Sequence, residues 1–95
     1  MKKIAFLSGA ITNNPDYIGD FARAKVKYGD HITIISPAFL PIGLQYEQYL
    51  RICKAMIDES DMIIFLDGWE ESRGSNEEYA YGLEKQKFMW FDWED

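Results

Sequence analysis

The sequence predicts a small α/β domain built on a four-stranded parallel sheet in the order 2-1-3-4. Four short apolar runs alternate with three stretches of helical periodicity, the pattern left by βαβ units. The first three runs are almost unbroken rather than alternating, as strands buried on both faces require. The chain has 95 residues, 47% of them apolar, which suits one core and one domain spanning 1–95. Right-handed crossovers leave few sheet orders, and 2-1-3-4 sets the first and third strands side by side. The expected architecture is a Rossmann/flavodoxin-like three-layer sandwich.

Taken in order, Ile4 to Leu7 is the first strand. A helix follows Asn14, with Pro15 at its first position, Ile18, Phe21, Ala22 and Val26 on its apolar face, and Gly29 closing it. Ile32 to Ile35 is the second strand. The second helix carries Tyr46, Tyr49, Leu50, Cys53, Met56 and Ile57 on one face. Asp61 then reads as a cap or strand start, and Met62 to Leu66 is the third strand. The third helix begins near Ser75, where Ser75-Asn76-Glu77-Glu78 fits a capping box, and runs through Tyr79, Ala80 and Leu83 toward Gln86. Phe88 to Phe91 is the fourth strand and the edge of the sheet. The carboxyl ends of strands one and three face one crevice, bordered by the loops Ser8 to Asn14 and Asp67 to Ser75, the two segments richest in Gly, Ser and Asn.

Charge narrows the ligand class. Sixteen acidic residues outnumber ten basic ones, with no Lys/Arg stripe to follow a phosphate backbone, so no nucleic acid polymer is expected. A small anion is compatible with such a chain, because local backbone amides can bind one. One Cys and one His leave no Cys/His metal set and no internal disulfide, and no cofactor is implied. A lone thiol and the lack of any stretch near the ~20 apolar residues of a membrane span give the expectation of a soluble, cytoplasmic protein. His31 reads as a surface residue. Trp90-Phe91-Asp92-Trp93-Glu94-Asp95 puts large aromatics on an edge strand, which suggests burial against a second copy, hence a homodimer or higher homo-oligomer.

Ser8-Gly9-Ala10-Ile11-Thr12 after strand one, together with Asp61 through Glu78 around strand three, resembles the nucleoside 2-deoxyribosyltransferase-like superfamily. Phe65-Leu66-Asp67-Gly68-Trp69-Glu70-Glu71-Ser72-Arg73-Gly74 is more closely similar to a bacterial and phage branch of it, the DUF4406 proteins. Gly68-Trp69 followed by Ser72-x-Gly74-x-x-x-Glu78 carries most of the specificity. The resemblance implies a nucleoside or nucleotide ligand and Glu78 as a nucleophile attacking the anomeric carbon, kept ionised by a place in the first turn of the third helix. It also implies that Ser72 meets the sugar or phosphate. The sequence departs from the catalytic relatives at Phe6, where a supporting Tyr is common, and at Cys53, where an Asp is common.

Each candidate has two readings. Glu78 is a nucleophile or a capping-box Glu. Ser72 and Gly74 contact ligand or shape the turn into the helix. Gly9, Ala10 and Ile11 form the first crevice loop, and Asp67 leaves strand three at its ligand-facing end. Trp69 stacks on a base or plugs the crevice. Arg73 is a phosphate partner or a plain surface residue. Three functions follow: an N-glycosidic hydrolase or deoxyribosyltransferase, a non-catalytic nucleotide-binding module, and a small dimeric scaffold.

Overall fold

A computed structural model describes residues 2–92. Four parallel strands, β1 (Lys3–Ser8), β2 (Ile32–Ile35), β3 (Met62–Leu66) and β4 (Phe88–Asp92), lie in the order β2-β1-β3-β4. The helices are α1 (Tyr17–Tyr28), α2 (Tyr46–Asp58) and α3 (Arg73–Glu84). Short 3-10 turns cover Pro37–Phe39 and Trp69–Glu71. The chain winds from β1 to β2 in one direction and from β2 to β3 in the other, so right-handed crossovers put α1 on one face and α2 with α3 on the opposite face. The reversal falls between β1 and β3, whose register pairs Phe6 with Ile63 and Ser8 with Phe65.

Strand alternation divides the core in two. Ala5, Leu7, Ile64 and Leu66 pack against Phe21 and Ala24 of α1. Phe6, Ile63 and Phe65 pack against Cys53 and Ile57 of α2 and against Trp69. β1 and β3 are central and covered on both faces, which is why their sequences are continuously apolar. β4 is the edge, and with only α1 on its face the side chains of Phe88 and Trp90 stay exposed. At the amino end of the sheet Asp61 clasps β1: its amide donates to the Ile4 carbonyl at 2.7 Å and its carboxylate accepts from the Ile4 amide at 2.8 Å. That is a structural use for a residue expected only to cap or start a strand.

Three local expectations are corrected. On α1 the buried residues are Phe21 and Ala24, whereas Ile18, Ala22 and Val26 face outward. The inward face is instead Tyr17, Phe21, Ala24 and Tyr28, at i, i+4, i+7 and i+11. Gly29 ends α1 in right-handed rather than left-handed geometry, at φ −69°. Its lack of a side chain matters for another reason, since a Cβ there would meet the Lys25 carbonyl oxygen at 2.4 Å. Finally, α3 starts at Arg73 with Ser72 as its cap: the Ser72 hydroxyl accepts from the Ser75 amide at 3.2 Å. Ser75 is therefore inside the helix, and no capping box joins it to Glu78.

Candidate functional site

Starting α3 at Arg73 sets which of its side chains meet the sheet. The buried residues of α3 are Ser75, Glu78 and Gly82, at i, i+3 and i+7, while Leu83 is exposed. The face turned inward thus carries a hydroxyl, a carboxyl and a hydrogen atom instead of aliphatic groups. Gly82 lets the helix approach closely, because a Cβ would lie 2.6 Å from Ile63 Cδ1 and 2.8 Å from Met89 Cε. Glu78 is only 5% exposed, a burial that carboxylates rarely accept without a partner.

Its partner comes from β1. Ser8 lies two residues after Phe6 and so on the same face of the strand, and its hydroxyl donates to Glu78 Oε1 at 2.6 Å. Ser8 Oγ is also 2.9 Å from Ser75 Oγ. A hydroxyl has one proton to donate, so when Ser8 donates to Glu78 the Ser75 hydroxyl donates to Ser8. Burial pushes the Glu78 carboxyl up from 4.5 to about 7; the Ser8 hydroxyl and the Cys53 thiol pull it back, and neighbouring Glu77 pushes it further up. The expected place in the first turn is corrected: α3 starts at Arg73, so Glu78 sits in the second turn, beyond the strongest dipole effect. Burial also pushes the Cys53 thiol up, with the Glu78 charge adding to it, so Cys53 stays protonated.

A cavity of about 50 Å³ borders Glu78, lined among others by Gly9, Ile11, Ser72, Gly74 and Ser75. Space for one or two waters is its whole extent, given roughly 30 Å³ of liquid per water. It shares Ile11, Thr12, Pro37, Tyr46 and Tyr49 with a neighbouring apolar cleft of about 340 Å³, large enough for a small organic ligand. The Tyr49 hydroxyl is buried at this common wall and has no hydrogen-bond partner among the described residues. Neither lining includes a Lys or Arg.

The sequence-predicted residues divide accordingly. Gly9, Ile11, Ser72, Gly74 and Glu78 converge. Ala10 is the neighbour of that loop whose carbonyl accepts from Asn14 Nδ2 at 2.9 Å. Asp67 lies in a different crevice of about 410 Å³, on the α1 side with Asp20, Arg23, Lys27 and Asp92. Arg73 lies over the Tyr46 ring at 4.2 Å, pairs with Glu77 at 3.7 Å and lines an outer groove. Trp69 is packed among Phe65, Tyr79 and Phe91, with ring centroids 4.8, 5.2 and 5.8 Å away. Gly68, in left-handed geometry at φ 87°, makes the turn that sends Trp69 inward. Gly9 has a packing reason of its own, since a Cβ would come within 3.1 Å of Leu66 Cβ.

Reading by type placed Ser8 and Ser75 in the crevice loops without linking them to Glu78, and missed Tyr49. Ser8 closes an apolar run and looks like the start of a loop; the usable signal was its even spacing from Phe6. Among the described residues no group of three His, Cys, Asp or Glu is placed to hold a metal ion, and no helix is long and apolar enough to cross a membrane.

Comparison with protein families adds the remaining observation: residues 3–90 match the family described as Domain of unknown function, DUF4406. The chain belongs to the DUF4406 family. The match takes in β1 to β3, the three helices and the first three residues of β4, and with them Ser8, Ser72, Ser75 and Glu78. No curated protein compared with it matches. In this DUF4406 chain, then, the carboxyl ends of β1 and β3 present one buried acid, a chain of hydroxyls and an apolar cleft beside them.

Proposed function

We propose that this protein cleaves the N-glycosidic bond of a nucleoside or nucleotide, as a hydrolase or deoxyribosyltransferase of the nucleoside 2-deoxyribosyltransferase-like superfamily, with Glu78 as nucleophile. The observation that carries this reading is a carboxyl with a midpoint of about 7, buried beside a cleft and spent on neither a cap nor an ion pair. Perturbed acids of this kind concentrate at reactive sites. At neutral pH a substantial share of Glu78 is ionised. Its oxygen attacks the anomeric carbon as the bond to the base nitrogen breaks; the base leaves with the electron pair and takes up a proton. Water then attacks the glycosyl–Glu78 ester, giving its proton to solvent and restoring the carboxylate; an acceptor base in place of water gives transfer.

The apolar cleft suits a flat base, and the unpartnered Tyr49 hydroxyl suits a polar edge of the ligand. Ser72 and the first-turn N–H groups of α3 suit a sugar hydroxyl or phosphate. A sugar is larger than the cavity over Glu78. That tightness favours a second reading, a non-catalytic module that holds the ligand in the outer cleft alone. Incubation with a panel of nucleosides and nucleotides, with free base read by chromatography, separates them. Release is expected from at least one member, falling on the order of a thousandfold or more in Glu78→Gln. Ligand binding without release in the wild type leaves the binding module.

A homo-oligomer is proposed as well. Trp90 is 49% exposed and Phe88 62% exposed on the edge strand β4, although the Trp90 indole donates to the Tyr28 hydroxyl at 3.2 Å. Trp93 lies outside the described residues. Sedimentation at micromolar concentration is expected to give a dimer that Trp90→Lys weakens; a clean wild-type monomer defeats this proposal.

A further inference from the structure

We propose that Ser8 and Ser75 form a hydroxyl relay that positions Glu78 and couples its protonation to the orientation of the Ser75 hydroxyl at the cavity. The geometry has two self-consistent states. With Glu78 ionised, Ser75 O–H donates to Ser8 Oγ and Ser8 O–H donates to Glu78 Oε1, over 2.9 and 2.6 Å. With Glu78 protonated, its O–H donates to Ser8 Oγ, Ser8 O–H donates to Ser75 Oγ, and Ser75 O–H turns toward the cleft that it lines. Passing between the states moves one proton per oxygen. Ser75 takes a proton from the cleft as it passes its own to Ser8, and Ser8 passes its own to Glu78, so nothing accumulates on either hydroxyl.

Ser8 is fully buried, Ser75 1% exposed and Glu78 5% exposed, and Ser75 and Glu78 both line the small cavity, so Ser8 reaches it only through these two neighbours. Around Glu78 the other titratable groups are Glu77 on its own helix and Cys53, Tyr46 and Tyr49 on α2. Tyr46 and Tyr49 have their hydroxyls pushed up by burial and remain neutral near pH 7, as does Cys53. β1 supplies Ser8, whose hydroxyl bonds to Glu78 within this group.

The inference rests on Glu78 being the reacting acid of the proposed function, but its test does not need turnover. The Glu78 side-chain carboxyl is titrated by carbon NMR in the wild type, Ser8→Ala, Ser75→Ala and the double variant. Removing the Ser8 donor is expected to move the midpoint roughly one pH unit alkaline. Ser75→Ala is expected to move it less, and to add nothing once Ser8 is gone, because the second link acts only through the first. An unmoved midpoint in Ser8→Ala overturns the relay, and so does a Ser75→Ala effect that persists in full without Ser8. Should Ser8→Ala fold poorly, Ser8→Cys keeps the volume with a weaker donor and is expected to shift the midpoint in the same direction. Base release is measured in parallel. A coupled titration without release leaves the relay standing and removes the glycosidic reading, whereas release with an uncoupled titration does the reverse.

Discussion

At pH 8 Glu78→Gln is expected to be more stable than the wild-type protein, and at pH 4 the difference is expected to shrink. The folded chain holds the Glu78 proton up to about pH 7, whereas the ordinary carboxyl value is 4.5. Below 4.5 both folded and unfolded chains carry the proton and no penalty arises. Between 4.5 and about 7 the unfolded chain has released it and the folded chain has not, so the folded state binds more protons and stability falls as pH rises. Above about 7 the whole penalty is present, roughly 3 kcal/mol. Gln keeps the volume and cannot ionise, so it removes this term. Denaturant unfolding of both proteins at the two pH values checks it, with pH effects from other groups common to both. A stability difference between the proteins that is independent of pH would reject the buried, raised carboxyl.

Trp69→Ala is expected to destabilise the fold by about 3–5 kcal/mol, a large fraction of the ~5–15 kcal/mol that holds a domain together. Trp69 is 9% exposed and touches Phe65, Tyr79 and Phe91, so truncation leaves a void bounded by three rings. Its indole N–H has no hydrogen-bond partner among the described residues, and Trp69→Phe is therefore expected to lose much less. Chemical denaturation midpoints measure both. A stable Trp69→Ala that has lost ligand affinity would instead restore Trp69 to the cleft as a stacking platform.

Trp69 also shows where sequence reading stops. The central strand positions followed from apolar runs because β1 and β3 are covered on both faces: Met62 to Leu66 is a strand over the residues expected, and β1 extends Ile4 to Leu7 by one residue at each end. The sheet order followed from crossover handedness. Helix phase was harder, since it depends on a starting residue. Moving the α3 cap from Ser75 to Ser72 turned Glu78 from a cap partner into a buried acid, and on α1 the face of Tyr17, Phe21, Ala24 and Tyr28 meets the sheet and leaves Ile18 and Val26 exposed. Where a base-stacking aromatic and a core aromatic have the same composition, only packing separates them, as at Trp69. The site residues Gly9, Ser72, Gly74 and Glu78 were legible as loop and motif positions, whereas Ser8 and Tyr49 needed the third dimension to bring them beside the acid.

One side of the cleft is tied shut. Tyr46, the first residue of α2, donates its hydroxyl to Glu77 on α3 at 2.9 Å while Arg73 covers its ring and pairs with the same carboxylate. The opposite side is the stretch from Pro37 to Leu44, which includes the fully solvated side chain of Ile42, 94% exposed, and Gly43 at φ 106°. This asymmetry makes that stretch the place where ligand preference can diverge between relatives or be engineered. Changing its length or side chains redraws the cleft's outer rim, and leaves the hydroxyls and acid at its floor in their original frame.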